Sequence, residues 1–359
     1  MLSSIAKPFA ALAASAVLIS LVLAALGASP LGVFAALGEG AFGSWYACVD
    51  TLVKSTPLIF TGLAVSIAFS GALWNIGADG QLTIGAIAAG AIGTHLDDFP
   101  HSLAVAIILM AGALGGAAWG GVAGWLRARR DVNEVISTIM LNFVAVQMLS
   151  WMVHGPLMEP SRAYPTSSPI ASAAQLDFYF APSRLNLGML LAVVLAAACY
   201  MLLFNTSAGF ELRAMGRNRR AATFFGVRIP ALTVWVMALS GALAGLGGAV
   251  QVSAISHRLY EKLSPGWGFE AIAVALVARL NPLGIIPAAL LFGALDNGSQ
   301  AMQRTQGISP ELVQVIQGLV ILIILAFDTP AWSGLRENIF GASSDDAAAV
   351  PPVAEMPDA

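Results

Sequence analysis

Ten apolar runs dominate this chain and leave it few ways to fold in water. Seven are long, at 9–26, 57–73, 82–94, 103–126, 135–153, 187–204 and 231–252. Two shorter ones follow at 269–280 and 285–295, and a last one covers 312–327. A helix that crosses the roughly 30 Å hydrocarbon layer of a bilayer needs about 20 such residues. Across all 359 residues 58% are hydrophobic and 10% charged, against about 25% charged in soluble domains. A water-soluble fold of this size has no surface to show. The chain reads as an all-α polytopic membrane protein with about 8–10 transmembrane helices.

A net charge of −3 gives no global basic field and no reason to expect nucleic acid. Cys48 and Cys199 are far apart in apolar or aromatic surroundings and read as small apolar fillers. His95, His101, His154 and His257 fall at segment ends and form no HxxxH pair, so a metal site is not expected. The first run, preceded by Lys7, is longer than a signal-peptide core and is expected to stay as an uncleaved helix. Orientation follows from Lys and Arg. With the N-terminus inside, eleven of the 17 fall on the cytoplasmic side and six outside. The excess is concentrated at 127–130 and 213–228, which predicts N-in and C-in. The Pro- and Ser-rich loop 154–186 then faces outward, and residues 341–359 form a disordered acidic tail behind a membrane domain at 1–340.

Two segments cannot be continuous spans. In Gly71–Gly93, Asn75, Gly77, Asp79, Gly80 and Gln81 interrupt the apolar pattern. Freed backbone at membrane depth must face protein or a wet cavity. The alternative is an ordinary polar turn between two helices. The second break is at 264–295, where 12 apolar residues reach only about 18 Å before Pro282, Gly284 and Pro287. Paired Gly/Pro-broken segments are the mark of transporters built from two related halves, with their path near the breaks. Between them, Glu134, Thr138 and Asn142 recur every fourth residue and share one helical face. Such a stripe faces other helices or a cavity, although Glu134 also suits a helix N-terminus. Asp50, Asp79, Glu270 and Asp296 are scattered near ends or breaks and form no recognisable proton relay. The chain has no GxxxxGK[ST] phosphate loop.

The basic loop 205–230 reads NTSAGFELRAMGRNRRAATFFGVRIP. On physics alone it holds a short helix lying along the membrane surface, either as a partner-docking element or as a loop that only sets topology. Within it, Gly216, Asn218, Ala221, Ala222 and Gly226 resemble the G-x-N-x-x-A-A-x-x-x-G coupling-loop motif of ABC importer permeases in the ribose/branched-chain amino acid class. Arg219 stands where that motif often has Pro. LWNIGADGQL resembles the WNIGAEGQ signature of the simple-sugar and nucleoside branch, with Asp79 in place of the usual Glu. VNEVISTIMLNF and GFEAIAVALVARLNPLG are similar to the same branch.

That resemblance implies a permease subunit of an ATP-driven importer in a bacterial inner membrane, not an enzyme itself. It implies an ATPase partner that binds the ATP and Mg, an extracytoplasmic binding protein of the basic membrane protein type, and a second permease chain, expected to be a different one. It further implies that Arg213, Gly216, Asn218, Ala221, Ala222 and Gly226 couple to the ATPase, with the two alanines allowing close approach and Gly226 ending the helix. The expected cargo is a nucleoside, a purine nucleoside first, with a simple sugar such as ribose or a riboflavin-like heterocycle as alternatives. An aromatic and amide lining of Trp74, Asn75, Gln81, Asn142 and Phe269 would suit such a neutral cargo. The rival class is a secondary transporter that works without an ATPase.

Overall fold

The computed structural model describes residues 29–178 and 184–307, with isolated positions on either side. Residues Ala28–Gln314 form one compact unit; the other comprises Met1–Gly27 and Val315–Ala359. The predicted spans 9–26 and 312–327 and the tail 341–359 lie outside the continuously described residues.

Within the larger unit the order is α1 (Pro30–Phe42), α2 (Trp45–Ser70), α3 (Ala78–Gly93), α4 (His101–Arg130), α5 (Glu134–His154), α6 (Leu187–Asn205), α7 (Ser207–Arg217), α8 (Arg219–Phe224), α9 (Ile229–Gln251), α10 (Trp267–Val277) and α11 (Pro282–Gln306). Five described helices are long and apolar enough to cross a membrane: α2, α4, α5, α6 and α9 with its π-helical continuation to Ser256. The described elements are helical, in keeping with an all-α polytopic membrane protein.

Two helices extend well past their apolar runs. α2 begins at Trp45, twelve residues before the run at 57. Its early hydroxyls are returned to backbone carbonyls: Thr51 to Ala41 O at 2.9 Å, and Ser55 to Thr51 O at 2.7 Å. α11 runs for 25 residues straight through Pro287, where the apolar pattern covers only 285–295. Its polar second half packs against α1 and α2, and Asn297 donates to Gly40 O, Ala47 O and Thr51 Oγ1 at 3.0–3.1 Å. A polar residue at membrane depth is tolerated once its donors have protein acceptors, which hydropathy cannot register.

The core is the three-way junction of α3, α4 and α9. A Cβ on Gly116 would sit 2.1 Å from Gly241 O, one on Gly245 2.2 Å from Gly112 O, and one on Gly85 2.3 Å from Gly245 Cα. The glycine-rich run 112–124 thus brings backbones into direct contact, the packing device of membrane helices where no hydrophobic effect drives association.

The loop after α5 closes the end of the bundle opposite the basic loop. Ala171 N donates to Gly93 O at 2.8 Å, Ile170 N to His257 O at 2.8 Å, and Ser167 N to Leu259 O at 2.9 Å. These bonds tie the end of α3 to the segment between α9 and α10.

Candidate functional site

α2 ends at Ser70 beside the basic loop, where a Cβ on Gly216 would meet Ser70 O at 2.3 Å. The chain then runs as irregular backbone from Gly71 to Gly77 before α3 begins. Its orphan polar groups are met by side chains. Gly77 N donates to Asn75 Oδ1 at 2.9 Å and Gly80 N to Asn142 Oδ1 at 2.8 Å. Asn142 Nδ2 donates to Ile76 O at 2.8 Å, and Ile76 N to Thr138 Oγ1 at 3.3 Å. The stripe Glu134–Thr138–Asn142 therefore faces the broken segment, and its amide and hydroxyl replace a missing helical turn. Glu134 begins α5 and pairs with Arg127 Nε at 3.1 Å. Asn75 and Gln81 hydrogen-bond each other twice, at 2.9 and 3.1 Å, and Asn75 also donates to Ser240 Oγ at 2.7 Å.

The second break meets the first. Asp79, in the first turn of α3, accepts through Oδ1 from Ser264 Oγ at 2.6 Å and from Gly268 N at 3.1 Å. Ser264 Oγ in turn accepts from Gly266 N and Trp267 N at 3.2 Å each. The free N–H groups opening α10 are capped by a side chain from the other broken helix. The contact is close enough that a Cβ on Gly268 would lie 2.0 Å from Asp79 N. α3 is reached by irregular backbone from the basic-loop end, and α10 from the opposite end, so the N-termini of two short helices converge inside the protein.

Of the five lining candidates, Asn75, Gln81 and Asn142 are buried and bonded as above. Trp74 and Phe269 are half exposed, at 52% and 49%. Trp74 packs on Phe69 with ring centroids 4.8 Å apart. Beside Phe269 lies a charged group that the sequence left scattered. Lys54 Nζ is 2.9 Å from Asp296 Oδ2, both side chains are partly exposed, and Glu270 lies within electrostatic range of both. Lys54 sits nine residues into α2, about 14 Å from its start. A charged pair on a membrane helix faces water or protein rather than lipid.

The basic loop is two helices, not one. Asn218 breaks it with extended backbone and caps α8 by accepting from Ala221 N at 3.0 Å. Gly226 ends it at φ +88°, a left-handed conformation that favours glycine. Arg213 stacks over Phe204 at 5.0 Å, Gly216 presses on α2, and Ala222 is buried in its own chain. Arg217, Arg219 and Arg220 are exposed, and so are Phe224 and Phe225, at 88% and 82%. Their rings meet edge to face at 5.7 Å, and the loop sequence, which suggests Phe225 as an apolar contact, does not show that both stand exposed.

Residues 47–325 match the family described as branched-chain amino acid transport system / permease component. The chain belongs to this family. It is 33% identical over 311 residues to a guanosine ABC transporter permease of Bacillus subtilis, covering 85% of this chain and 88% of that one. A glucose ABC transporter permease of Haloferax volcanii is 32% identical over 313 residues, 84% and 82% of the two chains. A second guanosine permease chain of Bacillus subtilis matches at 29% over 251 residues, 68% of this chain and 78% of its own. No solved structure matches. The chain is an ABC permease of the simple-sugar and nucleoside class, and in such transporters ATP hydrolysis belongs to a separate ATPase.

Proposed function

We propose that this permease forms one half of the translocation path for nucleosides, purine nucleosides first, in a bacterial inner membrane, with N- and C-termini on the cytoplasmic side. The observation that supports the reading is a polar and aromatic wall: a partly exposed Lys54–Asp296 pair with Glu270 within electrostatic range, and the exposed ring of Phe269 next to Glu270 in the chain. Flat aromatic surface next to hydrogen-bonding groups suits a neutral heterocycle joined to a polyhydroxy ring. Trp74 and Phe269 offer rings to the cargo, while Asn75, Gln81 and Asn142 act through the broken segment they hold. The guanosine permeases among the relatives support this cargo. The glucose permease at 32% identity favours a second reading, in which a simple sugar is carried along the same wall.

The partners follow from the loop and from the relatives. An ATPase holding ATP and Mg seats α7 and α8, with Phe224 and Phe225 as its apolar anchors and Arg217, Arg219 and Arg220 around them. Arg213, Gly216, Asn218, Ala221, Ala222 and Gly226 shape that surface. Gly216 rests on Ser70, one residue before the broken segment, so displacement of the loop is handed directly to Gly71–Gly77. An extracytoplasmic binding protein delivers cargo. A different permease chain completes the path, a reading supported by the two distinct guanosine permease chains that match.

The test is purification from native cells in mild detergent, mass spectrometry of what accompanies the chain, and uptake of labelled guanosine and glucose by cells with and without it. Co-purification of a Walker-A ATPase and a second polytopic chain, with chain-dependent guanosine uptake, is expected. Active transport by the chain alone would overturn the coupled importer. Chain-dependent uptake of glucose and not guanosine would replace the cargo.

A further inference from the structure

We propose that the cleft between the last turn of α4 and the first turn of α9 binds the headgroup of an anionic phospholipid. The cleft measures about 520 Å³ and is lined by Trp125, Arg129, Arg228, Pro230 and Val234 among others. Its lining is almost wholly apolar, and its two charged residues, Arg129 and Arg228, are both exposed. Arg127 nearby is ion-paired with Asp131 at 2.6 Å and Glu134 at 3.1 Å, whereas Arg129 and Arg228 have no acidic partner among the described residues. Two exposed arginines bordering one apolar cleft offer a phosphodiester charge-assisted donors, and the cleft offers the lipid apolar surface.

The setting selects a lipid over a free phosphate. α4 is 30 residues long, about 45 Å, so its basic last turn overshoots a 30 Å hydrocarbon layer into the headgroup region. Trp125 and Trp235 are both exposed on this edge, at 47% and 41%. They lie about 7.5 Å and 10 Å along their helices from Arg130 and Arg228. Indoles at that depth below a basic rim are how membrane helices mark the interface. Below Trp125 the exposed side chains of α4 are apolar, with Val122 at 43% and Leu114 at 63%, a surface for the acyl chains. Basic pockets between membrane helices are the places where anionic headgroups lodge. The pairing has a mechanical consequence, because Arg228 is the residue before α9 and follows the basic loop directly. A bound headgroup anchors the loop's far end to the bilayer.

The test titrates the purified transporter, delipidated in detergent, with phosphatidylglycerol, phosphatidylcholine and inorganic phosphate, read by native mass spectrometry. Wild type is expected to retain one phosphatidylglycerol in preference to phosphatidylcholine, and millimolar phosphate should not displace it. Arg129→Gln with Arg228→Gln should weaken retention about 10- to 30-fold, from about 1 kcal/mol per basic residue at the surface. Arg130→Gln, which does not line the cleft, should leave it unchanged. The single Arg129→Gln change, on an exposed side chain, gives an intermediate value should the double variant unfold. Equal retention by wild type and the single variant overturns the proposal. So does an equal loss with Arg130→Gln, which would mean a diffuse basic face, or displacement by phosphate, which would mean a small-anion site.

Discussion

Asp79 decides whether the two broken helices stay together, and its removal can be costed. In Asp79→Ala the Ser264 hydroxyl and the Gly268 N–H both lose their acceptor. The backbones of residues 79 and 268 are in direct contact, so Gly268 N–H is closed in against α3. The stranded buried N–H of Gly268 costs about 1–3 kcal/mol, and the partly exposed Ser264 hydroxyl less than that. Asp79→Asn keeps an oxygen where Oδ1 now sits and should cost less than half as much. Thermal unfolding of the detergent-solubilised protein, with cargo uptake measured alongside, should rank wild type above Asn and Asn well above Ala. An Ala variant that unfolds with wild type would refute the capping role. An Asn variant as damaged as Ala would show that acceptor geometry is not what the site needs.

Other consequences are as specific. Gly116→Ala drives a Cβ into Gly241 O and should destabilise by about 1–3 kcal/mol in an unfolding assay, whereas Gly121→Ala on the same helix, with its nearest neighbour at 3.8 Å, should be neutral. Phe224→Ala with Phe225→Ala should leave the chain inserted and folded but weaken ATPase pull-down by at least about tenfold, since each ring buries about 150 Å² or more on docking. Lys54→Met leaves Asp296 and Glu270 in electrostatic range of each other without the cation; uptake should fall sharply while stability, in a partly exposed pair, drops by only about 1 kcal/mol. Asn142→Leu removes the acceptor of Gly80 N and the donor to Ile76 O, and uptake and thermal midpoint should fall together.

Membrane class, the two breaks and the polar face of α5 were legible because each is written in local pattern. A 3.6-residue period places Glu134, Thr138 and Asn142 together whatever surrounds them. The extents of α2 and α11 were not legible, because Thr51, Ser55 and Asn297 find acceptors in other turns and other helices. The Lys54–Asp296 pair spans 242 positions and no window can show it. Ala222 teaches the reverse lesson. The coupling-loop motif points to it, and the structure shows its side chain buried in this chain, while the large exposed apolar side chains of the loop include Phe210, Phe224 and Phe225.

The convergence of the two breaks gives them a shared purpose. A helix N-terminus carries a partial positive charge and free N–H groups, and bringing two together inside a membrane protein is unfavourable unless something negative or hydrogen-bonding sits between them. Here that is Asp79, anchored to α3 and capping α10. Because α3 is reached from the basic-loop end and α10 from the other, Asp79 joins two breaks that are supported from opposite ends of the bundle. Phe269 and Glu270 follow Gly268 directly on α10, so the proposed cargo wall begins at the Asp79–Gly268 contact, and Gly216 against Ser70 places the basic loop at the other end of the same broken segment.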